Sequence, residues 1–208
     1  RATRFVEITQ GLVITYAAAH RWLNAPGNVE EDNERIRKAI KLAYLLCTPG
    51  MERLRLVDIE PLAEIEKETA VSNLNRYRSL LPGYPMTYAV EHAHQTLSQT
   101  LDLALQGGFL FAYDEANIFI KGGPVPGELD DFWTKVELND LTSIHLKQRV
   151  EEGFSNSLAT EGLVDFSVLL ERLQAIGFDG EFLLENVPTD QAMEDALESR
   201  AFILAMKA

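Results

Sequence analysis

Short apolar runs alternate with amphipathic segments along most of this 208-residue chain. Six such runs stand out, each short and bounded by glycine, proline or polar residues, as in strands that are buried on both faces. They are Gly11–Tyr16, Leu54–Ile59 and the four runs that lead to Glu91, Asp114, His145 and Glu185. Apolar residues at helical spacing lie between them. This alternation predicts a parallel sheet covered by helices, which is an α/β fold.

The predicted helices have recognisable start and stop signals. Ile36, Ile40 and Ala43 recur at helical spacing between a capping residue near Asp32 and the Pro49-Gly50 pair, which ends the helix. Further helices are predicted over about 61–81, 95–105 and 166–176, around Phe132 and Trp133, and after Thr189. Residues 151–160 are predicted to form a long polar loop. Nothing in the pattern indicates a second domain, so residues 1–208 are expected to form one domain.

Four of the apolar runs lead to a residue that can bind a hard divalent metal. These residues are Glu91, Asp114, His145 and Glu185. Parallel barrels place their functional groups at the carboxyl ends of successive strands, where the four side chains would meet. Three carboxylates and one imidazole suit Mn²⁺, Mg²⁺, Co²⁺ or Zn²⁺. The pattern predicts a site for one divalent ion at the mouth of a barrel, although each residue alone is also typical of a solvated strand end.

The number of strands is smaller than a closed barrel needs. A closed (β/α)8 barrel has eight strands and about 250 residues. Here six strands are visible, and Arg1–Val6 resembles the tail of a helix. We therefore expect a TIM barrel that lacks a β-α-β segment at its start. The alternative is an open six-stranded sheet, whose two outer strands would have unpaired backbone edges.

The composition limits the partners that the protein can have. The chain carries 19 Lys and Arg against 32 Asp and Glu, a net charge of −13, which repels nucleic acids and anionic membranes. No apolar run approaches the length of about 20 residues that spans a bilayer. The one cysteine, Cys47, excludes an intrachain disulfide and is expected to be a buried apolar residue. A cytoplasmic location is expected.

Several motifs carry a family resemblance. Ile144-His145-Leu146-Lys147, Glu161–Phe166 and Gly177–Asn186 resemble the C-terminal part of the xylose-isomerase-like superfamily of sugar phosphate isomerases and epimerases. Tyr88–Glu91 and Asp114-Glu115-Ala116-Asn117 resemble the two preceding strands of its site. The resemblance implies that strands three to eight of a (β/α)8 TIM barrel are present and that the first two are lacking in this chain.

The resemblance also implies an activity, a metal-dependent sugar isomerase or epimerase. Its substrate would be a keto-sugar or polyol, and its cofactor one divalent metal ion. Protons would move through an enediolate whose oxygens the metal holds. Glu91 and Glu185 would transfer the protons, and both would ligate the metal together with Asp114 and His145. A homodimer is also compatible with the resemblance.

Two further residues are expected to contact the substrate. Asn117 matches a family position that often carries His or Asn, although a turn-forming Asn is equally compatible with the sequence. Lys147 stands two residues after His145 and therefore points to the same side of the strand. It could bind a substrate oxygen, or it could form an ion pair inside the barrel.

Two other functions remain compatible with the same barrel. A non-catalytic relative is one, because Gln148 stands where many relatives carry an aspartate. An apurinic-site endonuclease-type phosphodiesterase is the other, and it would need more histidines for a cluster of metals. Asn117 stands where such a histidine is expected, and residues 151–160 contain neither Asp nor His. With its acidic charge as well, the chain is not expected to bind nucleic acid.

Overall fold

The structure is a computed structural model that describes residues 17–21, 29–58, 66–93, 95–121 and 123–206. The predicted strand at Gly11–Tyr16 lies outside the described residues, and so does the segment Arg1–Val6. The other five predicted strands fall within them, except for Ile59 at the end of the second strand.

Six strands form one sheet. They are β1 (Ala17–Arg21), β2 (Arg53–Asp58), β3 (Thr87–Glu91), β4 (Leu110–Asp114), β5 (Leu141–Leu146) and β8 (Glu181–Leu184), in that spatial order. The neighbours β1 and β2, β2 and β3, and β5 and β8 pair in parallel. Two short strands, β6 (Arg149–Val150) and β7 (Gly153–Phe154), form a separate antiparallel pair. The sheet has the α/β arrangement that the sequence predicts.

Helices connect the strands of this sheet. They are α1 (Val29–Leu46), α2 (Lys67–Ser79), α3 (Leu97–Gln106), α4 (Glu115–Ile118), α5 (Glu128–Lys135), α6 (Phe166–Ala175) and α7 (Ala192–Met206), with 3₁₀ turns at Phe119–Lys121 and Leu138–Asp140. The first helix begins three residues before Asp32, the predicted start. Its first turn contains Glu30, Glu31 and Asp32, whose charges are favourable at the positive end of a helix dipole.

The described residues group into two compact units. The first, which we call the N-terminal unit, comprises the described residues within Arg1–Gln95 and Gln99–Phe111. Its core is an apolar cluster from β2, β3 and the helices, and the cluster includes Ile36, Ile40, Leu54, Leu56, Leu74, Tyr77, Tyr88 and Val90. Because side chains alternate along a strand, the other face of β2 and β3 carries Arg55 and Glu91, which are also buried.

The second, C-terminal unit comprises Thr96–Ser98 and Ala112–Ala208. Tyr113 packs against the rings of Phe132 and Trp133, with centroids 5.1 Å away in both cases. All six residues of β5 are buried. Trp133 thus packs against the rings of Tyr113 and Phe132 in the same unit.

The predicted polar loop at 151–160 is more ordered than the sequence suggests. The turn of the β6–β7 hairpin and β7 itself form its first part, and β6 lies just before it. The rest is held against α7: Asn156 donates to Asp195 at 3.0 Å, and the Leu158 amide donates to the Ser199 hydroxyl at 3.0 Å. These bonds are formed by residues about forty positions apart, so hydrophobic periodicity does not reveal them.

Two predictions from composition have structural outcomes. Cys47 is buried, as predicted, and burial raises the pKa of its thiol. Within the part of the chain that the structure describes, no helix has the length and apolarity that a membrane span requires. The single-domain assignment of residues 1–208 stays a prediction.

Candidate metal centre

Asp114 is the last residue of β4 and the N-cap of α4. Its Oδ1 accepts a hydrogen bond from the Ala116 amide at 3.0 Å, which satisfies one of the unpaired N–H groups at the start of the helix. The side chain is fully buried. The cap therefore fixes the orientation of this carboxylate and directs Oδ2 away from the helix.

His145 and Glu185 lie on neighbouring strands of the C-terminal unit. β8 ends one residue before Glu185, but the Glu185 amide donates to the Leu146 carbonyl at 3.0 Å, so the pairing with β5 continues through this residue. The side chains meet: His145 Nδ1 lies 2.9 Å from Glu185 Oε2. The imidazole is fully buried, whereas 40% of the Glu185 side chain is exposed.

Lys147 extends into the same group of side chains. Its ammonium lies 2.8 Å from Asp114 Oδ2 and 3.3 Å from Glu185 Oε2. It also donates to Asn117 Oδ1 at 3.4 Å and lies 4.7 Å from the centre of the Phe154 ring. These contacts form an internal ion pair, and contact of Lys147 with a substrate stays a prediction.

Glu91 ends β3 in the N-terminal unit, where it meets a residue that the sequence analysis missed. Arg55 Nη1 lies 2.5 Å from Glu91 Oε2, and both side chains are more than nine-tenths buried. Arg55 stands on β2 two residues before Val57, which pairs with Glu91. A charged residue inside an otherwise apolar strand was the sequence signal that could have identified it.

Three of the predicted ligands converge within the C-terminal unit. One possible ligand atom from each of Asp114, His145 and Glu185 lies within 4.8 Å of the other two. Asp114 and His145 are buried and Glu185 is half-buried. Carboxylate oxygens with an imidazole nitrogen form a donor set that Mn²⁺, Mg²⁺ and Zn²⁺ accept. The residues therefore fit one divalent ion.

Gln148 has a structural role that its sequence position did not indicate. Its amide accepts from the Val164 N–H at 3.0 Å, donates to the Val164 carbonyl at 3.2 Å and accepts from the Arg149 N–H at 2.9 Å. The side chain also fills the space in front of Gly162, where an added Cβ would lie 2.5 Å from it. Gln148 thus holds the segment before α6 against the end of β5.

Comparison with solved structures identifies the fold. A xylose isomerase domain-containing protein from Salmonella typhimurium LT2 superposes with a TM-score of 0.78 over 98% of this chain and 80% of that chain, at 16% sequence identity. The fold is that of the xylose isomerase-like TIM barrels. The six-stranded sheet with its alternating helices corresponds to a partial barrel of this kind. No family model matches the sequence, and no curated protein matches it.

Other solved proteins share the xylose isomerase-like fold. The IOLI protein, solved with a bound zinc atom, has a TM-score of 0.72 over 99% of this chain and 80% of that chain, at 15% identity. A 3-keto-D-glucoside 4-epimerase from E. coli has a TM-score of 0.68 over 98% and 85%, at 13% identity. An AP endonuclease, family 2, from Brucella melitensis has a TM-score of 0.65 over 93% and 80%, at 14% identity. The fold is therefore shared by proteins of different chemistry, and the residues of the site must decide among them.

Proposed function

We propose that this protein is a divalent-metal-dependent sugar isomerase or epimerase that acts on a keto-sugar or polyol. The observation that carries the proposal is the convergence of Asp114, His145 and Glu185, with ligand atoms within 4.8 Å of one another. Glu91 is the fourth ligand that the sequence pattern predicts. The names of the neighbours support it, since one is a 3-keto-D-glucoside 4-epimerase and another holds zinc.

The proposed metal ligands are these four side chains. A divalent ion bound there would act as a Lewis acid toward the carbonyl and hydroxyl oxygens of the sugar and would lower the cost of removing the neighbouring C–H proton. The ion would be Mn²⁺, Mg²⁺, Co²⁺ or Zn²⁺. One imidazole among three carboxylates favours an ion that prefers oxygen ligands.

Glu185 and Glu91 are the proposed acid–base pair. Glu185 is the more accessible of the two, with 40% of its side chain exposed against 3% for Glu91, so it is the carboxylate that a substrate from solvent meets first. Arg55 holds Glu91 Oε2 at 2.5 Å and so restricts the orientation of that carboxylate. A proton removed by one glutamate and returned by the other would change the position of a carbonyl or the configuration of a carbon.

Asn117 and Lys147 are the proposed substrate contacts. Both are buried and they are joined by a hydrogen bond of 3.4 Å. The ammonium carries the positive charge that an enediolate oxygen needs, and the amide can bind a hydroxyl.

Proton exchange tests this proposal. Candidate keto-sugars are incubated in D₂O with protein and Mn²⁺, and loss of C–H signals is followed by NMR. We expect exchange with wild type and a decrease of about 100-fold or more with Glu185→Gln, on the scale of acid–base catalysis by one side chain. Glu161→Gln is the control, because it makes the same chemical change at an exposed residue.

The outcomes separate the candidate functions. Metal-loaded protein that exchanges no proton across a broad panel contradicts the acid–base assignment and favours a non-catalytic relative. If the Glu185→Gln variant exchanges protons as fast as wild type, Glu185 does not transfer the proton. The isomerase or epimerase activity itself would still be supported. The homodimer and the cytoplasmic location stay predictions.

A further inference from the structure

The two oxygens of Asp114 are in different environments. Oδ1 accepts the hydrogen bond from the Ala116 amide that caps α4, and Oδ2 faces the Lys147 ammonium at 2.8 Å. A cation can therefore approach Oδ2 without disturbing the start of the helix. Any cation that binds Asp114 in this way, from the protein or from solution, must use the same oxygen.

Lys147 already binds that oxygen. Its ammonium lies 2.8 Å from Asp114 Oδ2 and 3.3 Å from Glu185 Oε2, and the second of these oxygens also contacts His145 Nδ1 at 2.9 Å. The lysine side chain is 10% exposed, so water screens these contacts little. The positive charge thus lies on two of the oxygens that would ligate a divalent ion.

Lys147 also has other partners close by. Asn117 Oδ1 lies 3.4 Å from the ammonium, and the Phe154 ring lies 4.7 Å from it. An amide oxygen and an aromatic face both stabilise an ammonium without a negative charge. A lysine displaced from the two carboxylates would therefore still have acceptors and need not become a buried charge without a partner.

We propose that Lys147 competes with the divalent ion for Asp114 Oδ2 and Glu185 Oε2 and thereby weakens the affinity of the site for metal. This inference rests on the proposed metal centre. Metal entry moves the ammonium from the carboxylates toward Asn117 and Phe154. Lys147 is a positioning residue in this respect, because it sets the affinity of the site for metal. After metal binding, its charge remains near the substrate.

Metal titration tests the competition directly. Full-length protein stripped by a chelator is titrated with Mn²⁺ alone, with binding followed by calorimetry and by the EPR signal of free Mn²⁺. Lys147→Met removes the charge and keeps much of the apolar length. We expect the dissociation constant for Mn²⁺ to fall by about tenfold or more, on the scale that partners of metal ligands have for metal affinity.

Arg149→Met is the matched control. Its guanidinium lies over the same Phe154 ring, also at 4.7 Å, and both variants change the net charge from −13 to −14. The long-range electrostatic field is therefore equal in the two variants. They differ because only Lys147→Met removes the contacts with Asp114 and Glu185. We expect Arg149→Met to bind Mn²⁺ with nearly the affinity of wild type.

Thermal unfolding gives a second measurement. Without metal, Lys147→Met leaves Asp114 and Glu185 with less positive charge beside them, so we expect a lower midpoint than for wild type and a larger increase when Mn²⁺ is added. If Lys147→Met does not fold, Lys147→Gln replaces it, because its amide can still donate to a carboxylate.

Each result has a distinct meaning. If the Lys147 variants bind Mn²⁺ as wild type does or more weakly, Lys147 does not compete with the metal. The lysine would then help to hold the metal ligands in place. If neither wild type nor the variants bind Mn²⁺, the proposed metal centre fails and the competition fails with it. If wild type binds Mn²⁺ and the variants bind it no more tightly, only the competition is rejected and the proposed metal centre is kept.

Discussion

The buried charges of the candidate metal centre have partners of opposite sign. Arg55 meets Glu91 in one case, and Lys147 meets Asp114 and Glu185 in the other. A buried carboxylate without such a partner is costly, so each cation offsets part of the cost of burying the carboxylate that it contacts. The same contacts orient the side chains before a substrate arrives.

Gln148 offers a test of a single side chain. Gln148→Ala removes the two hydrogen bonds to Val164 and leaves that residue's N–H and C=O without this partner in a buried position. An unsatisfied buried polar group costs about 1–3 kcal/mol. We expect the free energy of unfolding, measured with urea, to fall by about that amount. Gln174→Ala, an exposed change on α6, should leave it almost unchanged.

A loss of the same size in both variants would contradict the role that we assign to the Gln148 amide. Equal stability of Gln148→Ala and wild type would do so as well.

At the scale of elements, the strand ends position the candidate ligands. β3 ends on Glu91 and β4 on Asp114, while β5 passes one residue beyond His145 and β8 stops one residue before Glu185. The position of each strand depends on the turn that precedes it. A change in such a turn should therefore affect stability.

The turn from α3 into β4 depends on a glycine. Gly108 has φ = 71°, and the Phe109 amide donates to the Ala104 carbonyl, as in a Schellman C-cap. Residues with a Cβ are disfavoured there by about 1–2 kcal/mol. We expect Gly108→Ala to lower the free energy of unfolding by about that amount, or more if Arg78, which an added Cβ would meet, cannot move.

Gly83→Ala is the control for this change, because Gly83 has no positive φ and its added Cβ meets no atom within 4 Å. It should leave stability unchanged or raise it by up to about 1 kcal/mol. The explanation is wrong if Gly108→Ala proves as stable as Gly83→Ala in urea.

At the scale of the whole molecule, the fold and the net charge give different information about function. The xylose isomerase-like fold is shared by an epimerase and by an AP endonuclease. The net charge of −13 opposes the approach of a phosphate backbone, so we expect no action on DNA. The fold alone does not choose between the two chemistries.

DNA cleavage checks this conclusion. A duplex with one abasic site is incubated with protein and Mn²⁺ or Zn²⁺ in about 0.1 M salt, where the Debye length is about 10 Å. We expect no incision beyond that of a protein-free sample, while the same preparation exchanges sugar protons. Incision that disappears in Glu185→Gln would instead support the phosphodiesterase.

Local pattern explains which predictions were correct. Apolar runs and helical spacing depend on neighbours in sequence, so β2 to β5, β8 and the main helices followed from them to within a few residues. The short helix α4 was missed, because it consists of a single turn that Asp114 caps. The hairpin of β6 and β7 was missed as well, because Arg149–Val150 and Gly153–Phe154 are too short for an alternating pattern.

The sequence by itself determined the α/β class and the four candidate ligands, since both depend on a pattern within each strand and on the residue that follows it. The tertiary structure decided which partners those ligands have. The pairing of Arg55 with Glu91 follows from the register of β2 against β3, and the contact of Lys147 with Asp114 joins residues 33 positions apart. Such contacts depend on register and side-chain conformation, which arise only when distant segments pack together.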